Sequence, residues 1–177
     1  MGEVYNFQTL PRVVDFEAKL ALGEAFEARV ISMFKAAGHE AWKSKDRSYD
    51  LDVVLTVPLY GTHRIKAECK LDNVALSTGN IALEVESNSK PSGIHPDGAN
   101  PDLWIHGIGN EVWLMKTSAI QNLCRLHRKT WGDRTVKMGD DQRNDKRPDN
   151  QKMNCKGILM PLKVARMAKG GFWVTLP

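Results

Sequence analysis

The sequence lacks the features that mark several large classes of protein. It has three cysteines, Cys69, Cys124 and Cys155, scattered and never in a CxxC pair. That argues against a disulfide framework or a zinc finger and fits a reducing, cytoplasmic setting, bacterial or virus-infected. No apolar run approaches the roughly 20 residues that span a bilayer, so no membrane partner is expected. Residues Met1–Leu10 have no basic start followed by an apolar block and do not read as a secretory signal. The five histidines (39, 63, 95, 106, 127) show no HxH or HExxH spacing, which speaks against a zinc site. No Walker or GxGxxG loop is present, so no nucleotide cofactor is expected. Internal repeats are also missing.

What is present suits one globular domain, 1–177, with a core of its own. The 177 residues are 42% hydrophobic and 26% charged. A net charge of +4 is compatible with a polyanionic partner and equally with a solvated basic surface. Charge alone decides nothing.

From Asp15 to Ala37 the pattern is helical, with Phe16, Leu20, Phe26, Val30, Ile31 and Phe34 on one side and Gly38 as the stop. Ala41–Lys45 reads as a short strand. Asp50–Val57 and Arg64–Leu71 alternate with period 2 across a short Pro- and Gly-containing connection, which predicts a hairpin. Ile81–Glu86 alternates again, and Ser87–Pro101 reads as a loop. Leu103–Ile108 and Val112–Lys116 form a second expected hairpin. Thr117–Lys129 is an expected helix, with Thr117 or Ser118 as its N-cap. Met138–Lys156 is polar and reads as an exposed loop, followed by short strands at Gly157–Val164 and Phe172–Leu176. The sum is an α+β domain with a mixed sheet.

One constellation carries chemistry. Asp50 or Asp52 on one strand and Glu68 on the next would meet across the first hairpin, and Lys70 points to the same side as Glu68. Cys69 lies between them facing the core, with only its backbone carbonyl free to join a metal shell. Acids opposite acids destabilise a strand pair, and a bound cation removes that objection. Phosphodiester hydrolysis needs this set: carboxylates for Mg²⁺, and a cation to orient water or offset charge. An Asp followed 16 to 18 residues later by Glu-x-Lys also arises by chance, and charged outer strand faces are ordinary. Glu27 falls within the apolar stripe of the first helix, with Glu24 just past it. A carboxylate there needs a partner, either a buried Lys or Arg such as Lys70, or the metal pocket.

Gly23-x-x-x-Glu27, Asp50 and Glu68-Cys69-Lys70 resemble the PD-(D/E)xK nuclease superfamily, which includes restriction endonucleases and Holliday-junction resolvases. The wider run is similar to small nuclease-like proteins of tailed phages. It takes in Tyr49-Asp50-Leu51, Glu68-x-Lys70-x-Asp72, Thr78–Glu84, Lys90–Ile94 and Asp102-Leu103-Trp104, and covers roughly residues 16 to 120. The resemblance implies a restriction-endonuclease-like core, Asp50 and Glu68 as ligands of Mg²⁺ or Mn²⁺, Lys70 as the catalytic lysine and Glu27 as the helix acid. It departs from the usual pattern in Cys69 and in lacking a proline before the aspartate. Asp52 stays a rival to Asp50, and Glu24 to Glu27.

The expected activity is hydrolysis of DNA, and the rival is a DNA-binding or assembly protein that keeps the fold without turnover. Lys66 and the loop residues Ser89, Lys90 and Ser92 are candidate phosphate contacts. Glu84 and Glu86 share a predicted strand face and could hold a second cation or simply face solvent. His95, Asn100 and His106 have the residue types of an HNH nuclease without its strand-strand-helix context. Cutting two strands needs two active sites, which a homodimer would supply.

Overall fold

The computed structural model describes residues 16–46, 48–130, 135–138 and 155–176. The elements follow in order as α1 (Phe16–Ala36), β1 (Glu40–Lys43), β2 (Leu51–Val57), β3 (Gly61–Leu71), α2 (Ala75–Thr78), β4 (Asn80–Ser87) and β5 (Lys90–Pro91). Then come β6 (Leu103–Ile108), β7 (Glu111–Lys116), α3 (Thr117–His127), β8 (Thr135–Met138), β9 (Cys155–Pro161), α4 (Leu162–Met167) and β10 (Phe172–Thr175). The class is α+β. No helix among the described residues is long and apolar enough to cross a membrane.

The expected single mixed sheet is two sheets. The larger has six strands in the order β1-β2-β3-β6-β7-β10, and the smaller runs β5-β4-β9-β8. Mixing comes from one pair: β3 and β6 are parallel, Glu68 beside Trp104 and Lys70 beside His106, while the other neighbours are antiparallel. Parallel neighbours need a long crossover, and residues 72–102 supply it.

The larger sheet buries both faces. Phe26, Val30 and Phe34 of α1 cover Leu51, Val53, Ala67, Cys69 and Ile105 on one side. A β-carbon at Gly107 would stand 2.5 Å from the Phe26 ring, so glycine there lets the helix lie close on β6. On the other side Trp104, Trp113 and Met115 meet Ile120 and Cys124 of α3, Ile81 and Leu83 of β4, and Met160 of β9. The outer half of α1 departs from the expected stripe, since Leu20 is 53% exposed.

Several boundaries differ from those expected, each for a tertiary reason. Lys90–Pro91 pairs with Glu86–Ser87, so the segment 87–101 is not wholly loop. Cys155 and Lys156 belong to β9, because β4 supplies partners for them. Leu162–Met167 is helical rather than strand and buries Ala165. Helix α3 begins at Thr117 with Lys116 before it and no side-chain cap. Of the expected loop 138–156, Met138 also belongs to a strand, β8, and residues 139–154 lie outside the described residues.

Candidate active site

Strand β3 places Glu68 and Lys70, with Asp72 just after it, on the face turned towards α3 and the smaller sheet, while Ala67 and Cys69 face α1. Asp50 stands just before β2, at the open end of the hairpin. Its amide donates to the Ala67 carbonyl at 3.1 Å, and its Oδ2 accepts the Cys69 amide at 2.7 Å. A strand residue's N–H and C=O point to the same edge, so the Cys69 carbonyl is directed towards the Asp50 side as well. The Cys69 thiol is buried among core side chains, and burial, reinforced by Asp50, Glu27 and Glu68, pushes its pKa well up. Only its backbone is available to a ligand.

Burial raises the Glu68 carboxyl above its ordinary value, Lys70 works against this, and Asp50 and Glu84 add to it. Lys70 Nζ lies 2.6 Å from Glu68 Oε1. For Lys70 burial opposes the charged form, but Glu68, Glu84 and Asp50 outweigh it and hold the ammonium above the usual lysine range. Glu27 on α1 is also raised, first by burial and then by Asp50, with Lys43 pulling it down. Lys43, rather than Lys70, is therefore its cationic neighbour. The Lys43 ammonium stands 3.2 Å from Glu27 Oε2 and from Glu24 Oε1. Only the Glu24 contact is aligned as a hydrogen bond. Glu27 Oε2 is buried with no hydrogen-bond partner among the described residues. Glu24 is solvent-exposed, with its side chain 56% accessible.

Asp52 has a different fate from Asp50. Burial acts to raise its carboxyl, but Arg64 (Nε 3.1 Å, Nη2 2.9 Å) and the Tyr49 hydroxyl (3.2 Å) hold it below the ordinary range. Its charge is already answered. Lys66, opposite Asp52, sets its ammonium 4.9 Å from the centre of the Tyr49 ring, and its amide donates to Asp102. Ser89 and Lys90 are exposed at the β4–β5 turn, whereas Ser92 donates to Glu84 Oε1 at 2.5 Å.

Glu84 is the residue that strand pattern alone underrated. A register shift on β4 sets Glu84 opposite Gly157 and Glu86 opposite Lys156. Consecutive residues of β9 point to opposite sides, so Glu84 and Glu86 do not share a face as expected. Glu84 adds its charge to the Glu68–Lys70 pair, while Glu86 pairs with Lys156 at 2.7 Å. The loop after β4 holds this arrangement: Gly93, at φ +56°, lies so close that a β-carbon would come 2.3 Å from the Glu84 carbonyl oxygen.

Two residues beyond Lys70 a second polar group begins. Trp104 Nε1 donates to His106 Nδ1 at 3.2 Å, which leaves the Nε2 proton for Asp72 Oδ2 at 3.3 Å. Asp72 also accepts the amides of Val74 and Ala82. Burial raises its carboxyl, but these bonds, His106 first, bring it below the ordinary range. His106 is buried in this network, apart from His95 and Asn100, which sit in exposed turns with bonds to Asp97 and Pro96. No HNH-like grouping results.

No family model, curated protein or solved structure matches the chain. Among the described residues no three His, Cys, Asp or Glu side chains are grouped tightly enough to hold an ion by themselves. Mg²⁺ commonly takes only one or two protein carboxylates and completes its shell with water and substrate phosphate. Asp50, whose Oδ2 accepts the Cys69 amide, together with Glu68 and Glu27, fits that modest demand in ligand chemistry.

Proposed function

We propose that the chain is a Mg²⁺- or Mn²⁺-dependent nuclease that hydrolyses phosphodiester bonds in DNA. The observation that carries this reading is the unbalanced acid at the open end of the β2–β3 hairpin. Asp50 raises both Glu27 and Glu68, and Lys70 is the cation closest to Glu68. Half-buried carboxyls whose pKa is raised by burial and a neighbouring acid are relieved by a divalent cation. Asp50 and Glu68 would hold it, with the Cys69 carbonyl on the same edge. Such an ion supplies neutralisation of phosphate charge and an acidified water.

The side chains divide the remaining work. Lys70 stays protonated at any working pH, so it donates hydrogen bonds to the attacked phosphate or to water and does not act as a base. Glu27, with its raised pKa and Lys43 alongside, would accept a proton from water more readily than an ordinary glutamate. Asp52, neutralised by Arg64, takes no part.

The test is digestion of plasmid, linear, single-stranded and branched DNA with Mg²⁺ or Mn²⁺. Wild type cleaves, and Lys70→Ala loses at least about a hundredfold in rate with its DNA affinity nearly intact. No cleavage of any substrate in either ion would leave the non-catalytic DNA-binding protein as the reading.

A further inference from the structure

Two acids on β4 stand in opposite circumstances. Glu86 lies opposite Lys156 and is paired with it, whereas Glu84 lies opposite Gly157, which has no side chain to answer a charge. The loop after β4 nevertheless fixes Glu84 at three points. The Ser92 hydroxyl donates to its Oε1 at 2.5 Å, the Ile94 amide donates to its carbonyl at 2.9 Å, and Gly93 packs on that carbonyl where a β-carbon would not fit. A fourth tie sets its place in the site. Asp72, two residues beyond Lys70, accepts the amide of Ala82, two residues before Glu84. Lys70 and Glu84 each stand roughly 7 Å of strand from that hydrogen bond, within the reach of two long side chains. Burial disfavours the charged lysine, and the charges of Glu68, then Glu84 and Asp50, outweigh it, so Glu84 and Lys70 lie on the same side of the tie.

We propose that Glu84 is a second anchor for the Lys70 ammonium, a positioning residue that keeps the lysine in the site when Glu68 is engaged by another cation. The proposal rests on the nuclease reading, in which Glu68 serves two cations at once. In the structure Lys70 Nζ lies 2.6 Å from Glu68 Oε1. Beside a divalent charge Glu68 is a poorer acceptor, and an ammonium next to it is repelled. A lysine held by Glu68 alone would then swing away on its flexible four-carbon stem, just when its charge is needed. An ammonium carries three donors and a carboxylate accepts more than one hydrogen bond, so the Ser92 bond leaves Glu84 able to take the lysine. Ser92 has one hydroxyl proton and commits it to Glu84, so its side chain serves Glu84 in place of the phosphate contact expected of it.

The test needs no metal. The ammonium protons of a lysine give a resolved nitrogen–proton NMR signal only where they are held from exchange with water. In EDTA the Lys70 signal, identified by its loss in Lys70→Arg, should be present in wild type and persist in Glu68→Gln. It should disappear in Glu68→Gln/Glu84→Gln and remain in Glu68→Gln/Glu86→Gln, which removes the same charge from the neighbouring acid. A signal absent from wild type, lost in Glu68→Gln alone or kept without Glu68 and Glu84 would overturn the proposal. If the Glu84 double variant fails to fold, Glu68→Gln/Ser92→Ala should speed the exchange about fivefold, the weight of one hydrogen bond, and unchanged exchange would overturn it. In cleavage assays Glu84→Gln should lower kcat about tenfold with KM nearly unchanged and add nothing to Lys70→Ala, because coupled side chains are not additive. A further tenfold loss on top of Lys70→Ala would give Glu84 a role of its own and remove the anchor. Because the signal is read without a divalent ion, the two readings fail separately. A held ammonium without cleavage removes the nuclease, and cleavage with the signal lost in Glu68→Gln removes the anchor.

Discussion

Two polar groups, at Glu68 on β3 and at Asp72 just past its end, sit four residues apart and differ in how their charges are answered. Around Asp72 every element has a partner: two backbone amides, His106, and Trp104 behind it. The carboxyl is held low and the group is closed. Around Glu68 the acids outnumber their partners, two carboxyls are raised, and Glu27 keeps an oxygen without a hydrogen bond. A satisfied network ties strands together, whereas a half-satisfied one costs stability and has a use for what it lacks. The first group reads as architecture, and the second is where the proposed chemistry would sit.

The largest effect should come from exchanging one residue in each group. Asp50→Asn keeps an acceptor for the Cys69 amide but removes the charge. Cleavage should fall at least about a hundredfold, and the melting-temperature gain with Mg²⁺ should vanish, since an ion bound only to the folded state stabilises by roughly 2.7 kcal/mol at a hundred times its Kd. Asp72→Ala should do the reverse, costing about 3–5 kcal/mol in urea unfolding because two amides and an imidazole lose their acceptor. The Mg²⁺ response should survive. An Asp72→Ala protein of full stability would collapse the distinction.

Proton linkage sharpens the same contrast. Glu68 and Glu27 have raised folded-state pKa values, so the folded protein holds more protons than the unfolded chain above the ordinary glutamate value near 4.5. Their contribution makes the protein less stable as pH rises through that interval. Asp72 is depressed, so its contribution is present above the ordinary aspartate value near 3.8 and is lost as pH falls through its lowered one. Melting temperature without metal should therefore rise as pH is lowered towards about 4.5 and fall below about 3.8. Glu27→Gln/Glu68→Gln should flatten the upper limb only.

The smallest effect belongs to Asp52→Asn. Arg64 already neutralises it and is itself largely solvated, so cleavage should stay within about twofold and stability within about 1 kcal/mol. A loss as large as that of Asp50→Asn would return Asp52 to the site.

The hairpin and the meeting of Asp50, Glu68 and Lys70 on it were legible because both depend on near neighbours. Period-2 alternation located β2 and β3, and the helical stripe brought Glu27 into view. Local pattern could not rank Asp50 against Asp52, since both fall on the same parity, and the difference lies in Arg64 reaching back across the hairpin. Nor could it divide Glu84 from Glu86, because the register shift is imposed by β9, some 70 residues later in the chain. The second sheet was missed for the same reason. Lys43 was passed over as the neighbour of Glu27 because β1 and α1 meet only in three dimensions.

The pairing of β4 with β9 also sets a timetable. Asp50, Glu68 and Lys70 can assemble on a hairpin that closes over a few residues. Apart from the two-residue β5, β4 has no strand to pair with until Cys155–Pro161 has been made. At about 5–20 residues per second, translation from the end of β4 to the end of β9 takes roughly 4–15 s. During that interval Glu84 is not held near Lys70 by its pairing with β9. A nascent chain therefore carries the hairpin acids before it holds Glu84 beside them.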